Sequence, residues 1–179
     1  ALAEAARDNG WETILVSGPV ALRPPTGVKV EDVVSARQMQ EVLQKYFPEC
    51  DMLIMTAAVG DFRPSRIADQ KMKRGTQGLT LELEPVPDIL AGLAATRRVG
   101  QLLVGFAAET ENLETYAKNK LESKDIDWIV ANREDIPNQG FASDHNRVEV
   151  FSRWGDHYSL GPLPKRDIAQ QLFALWTAG

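Results

Sequence analysis

The sequence predicts a Rossmann-like α/β fold, doubly wound around a mainly parallel sheet with a late antiparallel hairpin. Continuous apolar runs such as 52–55, 102–106 and 128–131 are typical of strands buried on both faces. Helical segments lie between most of these runs, which is the pattern of βαβ units. A length of 179 residues suits one domain, so we predict a single domain over residues 1–179.

Turn and cap residues set the limits of the predicted elements. Gly10 ends the first helix, and Ser35 is a side-chain cap for the second. Pro87-Asp88 opens the third helix, with proline near the first helical position. Residues 79–84 alternate strictly, which predicts a half-exposed strand. In chain order we predict helices over residues 1–9, 35–46, 87–95, 113–123 and 166–176, and strands over residues 13–17, 28–30, 51–56, 79–84, 102–106, 126–131, 148–151 and 157–160.

The chain opens on a helix, whereas a doubly wound sheet normally begins with a strand and a glycine-bearing phosphate loop. We therefore expect the first strand of the fold to be missing from this chain, which makes the domain N-terminally incomplete. The residues that such a strand and loop would bring to a ligand are then not among these 179 residues.

Composition and charge argue against several classes of protein. A net charge of −5 disfavours attraction of the whole molecule to nucleic acid. The single cysteine, Cys50, excludes an intrachain disulfide, and we expect it to be a buried or half-buried apolar residue. His145 and His157 have no partner at metal-ligand spacing. No apolar run reaches about 18 residues and no secretory signal opens the chain, so we expect a cytoplasmic protein with no membrane partner.

The run 57–64 directly follows the predicted strand 51–56 and is the first candidate ligand site. Its small side chains let a ligand approach the backbone, and ligands of open α/β sheets bind beyond the carboxyl ends of the strands. Asp61 could accept hydrogen bonds from ribose hydroxyls or a base amine; alternatively, it caps its own turn. Downstream, the basic cluster 71–74 suits the oxygens of a triphosphate, or is a solvated loop.

Three further candidates also have simple structural alternatives. The helix start Pro87–Leu90 offers backbone N–H groups to an anion or a base edge, or is ordinary helix initiation. Phe106 flanks a nucleobase or belongs to the core. Lys120 and Lys124 share one helix face, which points to phosphates or to solvent.

The motifs gain specificity from their order along the chain. They are Val-Ser-Gly-Pro (16–19), Ala-Ala-Val-Gly-Asp-Phe-Arg-Pro (57–64), Lys-Met-Lys-Arg (71–74), Pro-Asp-Ile-Leu (87–90), Gly-Phe-Ala-Ala-Glu-Thr (105–110), Ile-Val-Ala-Asn (129–132) and Gly-Phe-Ala-Ser-Asp-x-Asn (140–146). This order resembles the phosphopantothenoylcysteine synthetase family, also called phosphopantothenate–cysteine ligases. In many bacteria this domain is the C-terminal half of a bifunctional coenzyme A biosynthesis flavoprotein. The resemblance covers nearly the whole chain.

The resemblance implies a two-step ligation in coenzyme A biosynthesis. CTP and 4′-phosphopantothenate first form an acyl-cytidylate and pyrophosphate. The amine of L-cysteine then attacks the activated acyl carbon and releases CMP. The resemblance also implies Mg²⁺ with the triphosphate, no FMN in this domain, and a homodimer. The strand over 79–84 and the late hairpin are candidate edges for that dimer.

Site residues follow from the resemblance position by position. Lys71 contacts the triphosphate and stabilises charge during cytidylyl transfer, which makes it the candidate catalytic residue. Asp61 holds the nucleotide, and the metal-binding residues are not indicated. The other nucleotide-binding residues that the resemblance implies are Met55, Thr56, Ala57, Pro87, Asp88, Ile89, Leu90, Phe106, Lys120 and Lys124.

Other classes stay open beside the ligase. An NAD(P)-dependent oxidoreductase has the same fold, although the sequence lacks the Gly-x-Gly-x-x-Gly fingerprint. A non-catalytic nucleotide-binding domain fits the expected N-terminal gap, because the family's Ser-Asn-x-Ser-Ser-Gly segment is not among these residues. That segment holds an asparagine implicated in processing the acyl-cytidylate. A preference for ATP is also open, although the bacterial-type motifs favour CTP.

Overall fold

A computed structural model describes residues 1–66, 70–72, 78–109, 113–133 and 144–178 of the chain. The helices are α1 (Leu2–Asp8), α2 (Ala36–Tyr46), α3 (Ile89–Ala94), α4 (Leu113–Lys124) and α5 (Lys165–Thr177), with a 3₁₀ helix over Phe47–Glu49. The strands are β1 (Ile14–Ser17), β2 (Lys29–Asp32), β3 (Met52–Met55), β4 (Phe62–Pro64), β5 (Leu83–Pro85), β6 (Leu102–Glu109), β7 (Trp128–Arg133), β8 (His145–Ser152) and β9 (His157–Pro164).

The strands form one large sheet and two small ones. The large sheet has the order β3-β6-β7-β8-β9, in which β3, β6 and β7 are parallel and β8 and β9 form the antiparallel end. Strands β1 and β2 form a separate parallel pair. Strands β4 and β5 form an antiparallel pair, which we call the β4–β5 ribbon. The predicted fold class, with its mainly parallel sheet and late hairpin, is confirmed.

Apolar layers cover both faces of the large sheet. On one face, Val104, Val130 and Val150 pack against α1 and α5, with Ile168 and Phe173 from α5. The other face buries a second cluster beneath α3 and α4. That cluster contains Leu103, Ile129 and Phe151 from the sheet, Ile89, Leu90 and Leu93 from α3, and Ala117 and Leu121 from α4. Continuous apolar strands are therefore explained by burial on both faces.

Local cap residues place the helices as the sequence predicts, with one correction. The Ser35 hydroxyl accepts a hydrogen bond from the Gln38 N–H at 3.2 Å and caps α2. At α3 the cap is Asp88, whose carboxylate accepts from the Ala91 N–H at 3.1 Å. Pro87 therefore lies one residue before the cap, and α3 begins at Ile89, two residues after the predicted start at residue 87.

The predicted half-exposed strand over 79–84 is wrong for most of its length. Only Leu83–Pro85 forms a strand, and it pairs with Phe62–Pro64, which was not predicted. Alternation predicts one covered face, yet Leu79, Leu81 and Leu83 are 67%, 56% and 57% exposed. These three leucines are therefore exposed to solvent and do not pack on the core.

Two further expectations concern the burial of Cys50 and the absence of a membrane-spanning helix. Cys50 is half-buried, as expected, and burial raises the pKa of its thiol. In the part of the chain that the structure describes, no helix is both long and apolar enough to span a bilayer.

Candidate functional site

The carboxyl ends of β3 and β6 bring the first group of predicted residues together. Met55, the last residue of β3, pairs in register with Gly105 of β6. A Cβ atom on Gly105 would lie 2.9 Å from Ile126 Cδ1 and 3.2 Å from Leu90 Cδ2, so the start of α3 packs directly on β6. Phe106 is half-buried, and its ring packs against the α1/α5 core. Met55 and Leu90 therefore belong to the apolar cluster beneath α3 and α4, whereas Phe106 packs on the opposite face of the sheet.

A backbone hydrogen bond places Asp61 next to the start of α3. The Asp61 carbonyl accepts from the Val86 N–H at 2.8 Å and closes the base of the β4–β5 ribbon. The Asp61 side chain is exposed. The hydrogen bonds among the described residues include none to its carboxylate, so the turn-cap alternative finds no support there. Asp61 and Pro87 thus flank the two ends of the ribbon.

Asp88 and Lys124 form an ion pair between α3 and α4. Lys124 Nζ lies 2.9 Å from Asp88 Oδ2, and the two side chains are 26% and 46% exposed. Burial acts to raise the pKa of Asp88, but the hydrogen bond and charge of Lys124 and the backbone N–H groups of Ala91 and Leu90 outweigh it. The net result is a lowered pKa, so this carboxylate is ionised at neutral pH.

The remaining predicted residues are less tightly placed. Lys120 lies one turn before Lys124 on α4, with its Nζ 4.5 Å from the centre of the Tyr116 ring. Thr56 and Ala57 are exposed just beyond β3. Lys71 is also exposed, and none of the ion pairs among the described residues involves its ammonium. Lys73 and Arg74 of the same cluster, and residues 140–143 of the last motif, lie outside the described residues.

A small cavity of about 170 Å³ lies beside the start of α3. It lies between α2, the base of the ribbon and residues Val86, Pro87 and Ile89. Its cationic wall is Arg63, held 2.7 Å from Glu84, together with Arg37, held 3.1 Å from Glu41. Sequence reasoning missed both arginines as site residues, although Arg63 belongs to the run 57–64.

Asn132 is a second residue that sequence reasoning left out of the site. It pairs with Ala108 of β6 near the carboxyl end of β7, where the strands end in small residues. Its Oδ1 atom is buried and has no hydrogen-bond partner among the described residues. A buried carbonyl without a partner costs free energy, so it is available to a donor from a ligand. The signal was the polar end of the motif Ile-Val-Ala-Asn.

The next question is whether the described residues include a group of side chains that could hold a metal ion. Among them, no three His, Cys, Asp or Glu side chains are grouped to hold an ion. His157 instead contacts Glu149 at 2.8 Å. Magnesium in nucleotide sites is usually held by substrate phosphates and one or two carboxylates, so a phosphate-borne ion needs no protein cage.

Comparison with known proteins identifies the family. Residues 1–178 match the family described as the DNA/pantothenate metabolism flavoprotein C-terminal domain. The chain belongs to this family. The coenzyme A biosynthesis bifunctional protein CoaBC of Bacillus subtilis is 42% identical over 173 residues, which cover 96% of this chain and 42% of that protein. CoaBC of Vibrio cholerae is 44% identical over 169 residues, which cover 93% of this chain and 42% of that protein.

Two solved structures have a similar fold. The C-terminal domain of a CoaBC protein aligns with a TM-score of 0.81 and 36% identity, covering 98% of this chain and 78% of that one. A Cab2 mutant in complex with phosphopantothenate-cysteine aligns with a TM-score of 0.74 over 99% of this chain and 75% of its own, and its 18% identity shows the fold alone. The resemblance found from the motifs is confirmed, and the chain spans less than half the length of the CoaBC relatives.

Proposed function

We propose that this domain ligates 4′-phosphopantothenate to L-cysteine, using CTP and an acyl-cytidylate intermediate. The observation that carries the proposal is the match of nearly the whole chain to CoaBC proteins of coenzyme A biosynthesis. A fold relative in complex with phosphopantothenate-cysteine supports the substrate class. The reaction also suits the chemistry, because nucleotidylation turns a carboxylate oxygen into a good leaving group.

The arrangement of charges supports a nucleotide site at the start of α3. Lys124 and Lys120 lie one helical turn apart on α4, and Lys124 reaches the cap of α3. Lysine is a mobile point charge that suits phosphate oxygens. In our proposal, the triphosphate draws Lys124 away from Asp88, while Lys71 approaches and stabilises the charge that develops during cytidylyl transfer.

The base and ribose lie, in this proposal, between the ends of β3 and β6. Exposed backbone at Thr56 and Ala57 and the carboxylate of Asp61 offer hydrogen-bonding groups on one side. Phe106 offers an aromatic surface, and Asn132 Oδ1 offers an acceptor that has no partner among the described residues. Mg²⁺ would be carried by the triphosphate and would neutralise its charge.

The test is binding and turnover measured on the same protein. Titration calorimetry with CTP, UTP and ATP should give the tightest binding with CTP. With the family's Ser-Asn-x-Ser-Ser-Gly segment also present, incubation with CTP, 4′-phosphopantothenate and L-cysteine should then release pyrophosphate and CMP. CTP binding without pyrophosphate release would favour the non-catalytic nucleotide-binding alternative. Equal or absent binding of all three nucleotides would reject the proposal.

The role of Lys71 can be tested by Lys71→Gln, which removes the charge and keeps most of the side-chain length. We expect pyrophosphate release to fall by about 100-fold, by analogy with the loss of one transition-state hydrogen-bond donor. Because Lys71 is exposed, the thermal unfolding midpoint should not change. The matched control is Lys45→Gln, an exposed lysine on α2. Unchanged pyrophosphate release in Lys71→Gln would refute the role.

We also propose that the domain is a homodimer that pairs through the β4–β5 ribbon. Four apolar side chains are more than half exposed here. Phe62 and Leu83 belong to the ribbon, and Leu79 and Leu81 directly precede its second strand. An isolated two-stranded ribbon is marginally stable in water, and its exposed apolar side chains can pack against those of a second copy. Light scattering should report a dimer for the wild type and a monomer for Leu81→Asp. A monomeric wild type would contradict the proposal.

A further inference from the structure

The cavity of about 170 Å³ beside the start of α3 has polar side chains that the proposed nucleotide site does not use. They come from α2 and from the β4–β5 ribbon. The polar lining residues are Arg37, Gln40 and Arg63, and the apolar ones include Val86, Pro87 and Ile89. Two guanidinium groups and one amide therefore share a small space with apolar side chains.

Arg63 is held by a cross-strand pair of the ribbon. It lies opposite Glu84, and its Nε donates to Glu84 Oε1 at 2.7 Å. Among the described residues, no hydrogen bond is donated by the two terminal amino groups of this guanidinium. An arginine that uses only its Nε keeps the planar pair of terminal amino groups that suits a carboxylate.

Arg37 gains little from its place on α2. It is the second residue of the helix, where the positive end of the helix dipole disfavours a cation. Its ion pair with Glu41, at 3.1 Å from Nε, has the arginine on the N-terminal side, which is the less stabilising order for residues four apart. The side chains are 75% and 58% exposed, so the pair contributes little to stability. Helix stability therefore does not explain this arginine.

Gln40 brings a neutral amide to the same cavity, one turn after Arg37 on α2. The residue is half-buried. The hydrogen bonds among the described residues include none to or from its side chain. Because a glutamine amide has two N–H donors and a carbonyl acceptor, it can bind a polar group of a ligand beside the guanidinium groups.

Charge and volume restrict what this cavity can bind. Arg37 and Arg63 each have a carboxylate partner, so the four side chains together carry no net charge. Such a set favours a ligand with one positive and one negative group over a dianion such as phosphate. At about 30 Å³ for each water, a volume of about 170 Å³ accommodates about six or seven non-hydrogen atoms. A nucleotide is too large, whereas alanine, serine or cysteine fits.

We propose that this cavity binds the zwitterion of one small neutral amino acid. Its carboxylate accepts hydrogen bonds from the terminal amino groups of Arg37 and Arg63. Its ammonium group contacts Glu84, whose carboxylate already lies beside Arg63. The short side chain packs on the apolar lining residues Val86, Pro87 and Ile89.

The identity of the amino acid rests on the proposed function, whereas its binding does not. If the domain ligates 4′-phosphopantothenate to L-cysteine, the occupant is L-cysteine. The hydrogen bond between Asp61 and Val86 joins the base of the ribbon to the chain that enters α3. The cavity is therefore a neighbour of the candidate nucleotide site.

The first test is an NMR titration of the ¹⁵N-labelled protein with L-cysteine under reducing conditions. A ligand of about seven non-hydrogen atoms is expected to bind in the millimolar range. The signals of the Gln40 side-chain amide and the Ile89 N–H should shift and saturate. The Gln101 side-chain amide is the internal control, because it donates to the carbonyls of Phe47 and Cys50 and does not line this cavity.

Acetate and inorganic phosphate test whether the ligand must be a zwitterion. Both should bind at least about tenfold more weakly than L-cysteine at the same pH and ionic strength. Equal or tighter binding of either anion would overturn the proposal, because the cavity would then be a simple anion site. The same conclusion follows if L-cysteine causes no saturable shift at Gln40 and Ile89.

The variant Arg63→Gln removes the charge and the two terminal amino groups. It should weaken L-cysteine binding by at least about tenfold, as expected for the loss of a hydrogen bond between charged groups, and Arg37→Gln should act in the same direction. Both arginines are exposed, so the unfolding midpoints should not change. The matched control is Arg66→Gln, an exposed arginine beyond β4 that does not line the cavity. Equal loss of binding in Arg63→Gln and the control would contradict the site.

Turnover separates this inference from the proposed function. With the family's Ser-Asn-x-Ser-Ser-Gly segment present, Arg63→Gln should raise the KM for L-cysteine by at least about tenfold without raising the KM for CTP. A wild-type KM for L-cysteine in an active Arg63→Gln enzyme would reject the inference and leave the proposed function intact. Saturable binding of L-cysteine at Gln40 and Ile89 without any turnover would support the inference although the proposed function failed.

Discussion

Asp127 and Asp88 both bind cationic side chains, but in different surroundings. Asp127 is 5% exposed and accepts hydrogen bonds from Arg97 at 3.0 and 3.1 Å, from Arg153 at 3.3 Å and from the Leu103 N–H at 2.8 Å. The Asp88 side chain is 46% exposed and binds one lysine and the backbone N–H groups at the start of α3.

The difference separates a structural ion pair from one that a ligand can open. Asp127 has donors on both oxygens, so its carboxylate is the shared acceptor of two arginines and a backbone N–H in a buried position. Lys124 is held by a partly exposed carboxylate, and exposed pairs contribute little to stability. An incoming phosphate can therefore replace Asp88 as the partner of Lys124 at small cost. Exposure and the number of donors, more than the type of residue, distinguish the two pairs.

The largest expected effect comes from removing the buried carboxylate. Asp127→Ala leaves the Leu103 N–H without its acceptor and leaves Arg97 and Arg153 with only the exposed carboxylate of Asp125, so the free energy of unfolding should fall by about 3–5 kcal/mol. Urea denaturation followed by circular dichroism measures this. The control is Asp125→Asn, at a neighbouring carboxylate that is 57% exposed and has a positive φ that asparagine tolerates. Equal losses in the two variants would contradict the structural role of Asp127.

Removing the lysine of the exposed pair should affect binding more than folding. Lys124→Met should weaken CTP binding by at least about tenfold, or about 1.4 kcal/mol, while the unfolding midpoint stays close to that of the wild type. Titration calorimetry and thermal unfolding measure the two quantities. Lys118→Met is the matched control, because Lys118 lies on the same helix and pairs with Glu114 at 2.7 Å. Comparable loss of binding in both variants would indicate a general charge effect.

The cap function of Asp88 can be separated from its charge. Asp88→Ala removes the acceptor for the Ala91 N–H and should destabilise the protein by about 1 kcal/mol. Asp88→Asn retains a good capping side chain, so its loss should be smaller. Urea unfolding of both variants measures the difference. If both variants lost the same stability, the ion pair and not the cap would be the main contribution.

The smallest expected effect is a change with pH in the contribution of Asp88 to the free energy of unfolding. The pKa of Asp88 is lowered in the folded state, so its contribution to stability is present at neutral pH and is lost as the pH falls through the folded-state pKa. The stability difference between wild type and Asp88→Asn should therefore shrink below about pH 4, near the ordinary pKa of aspartate. Urea unfolding at several pH values measures it. A constant difference down to about pH 3 would show that charge is not involved.

The sequence predicted elements whose local pattern matches their final burial. Apolar runs become strands of the large sheet, and Ser35 caps α2 as expected. The β4–β5 ribbon was missed because alternation over 79–84 signals a covered face, and the described residues of the core do not cover it. Family resemblance supplied Asp88 and Lys124 as site residues.

Contacts between distant residues were beyond sequence reasoning. The sharing of Asp127 by Arg97 and Arg153 depends on how a helix end and a hairpin meet before β7. The position of the Asn132 oxygen, which is buried and has no partner in the described part of the chain, depends on register with β6, which periodicity does not specify. Arg63 faces the cavity beside α3 only because the ribbon folds back to Val86.

The hydrogen bond between the Asp61 carbonyl and the Val86 N–H has a consequence for how this family can vary. It fixes the two points at which the chain leaves and rejoins the core, independently of what lies between them. Insertions or deletions between residues 62 and 85 would change that segment without displacing Asp61 or Pro87. The segment is therefore an exchangeable module, and chimaeras that swap it between relatives should retain the geometry of the core.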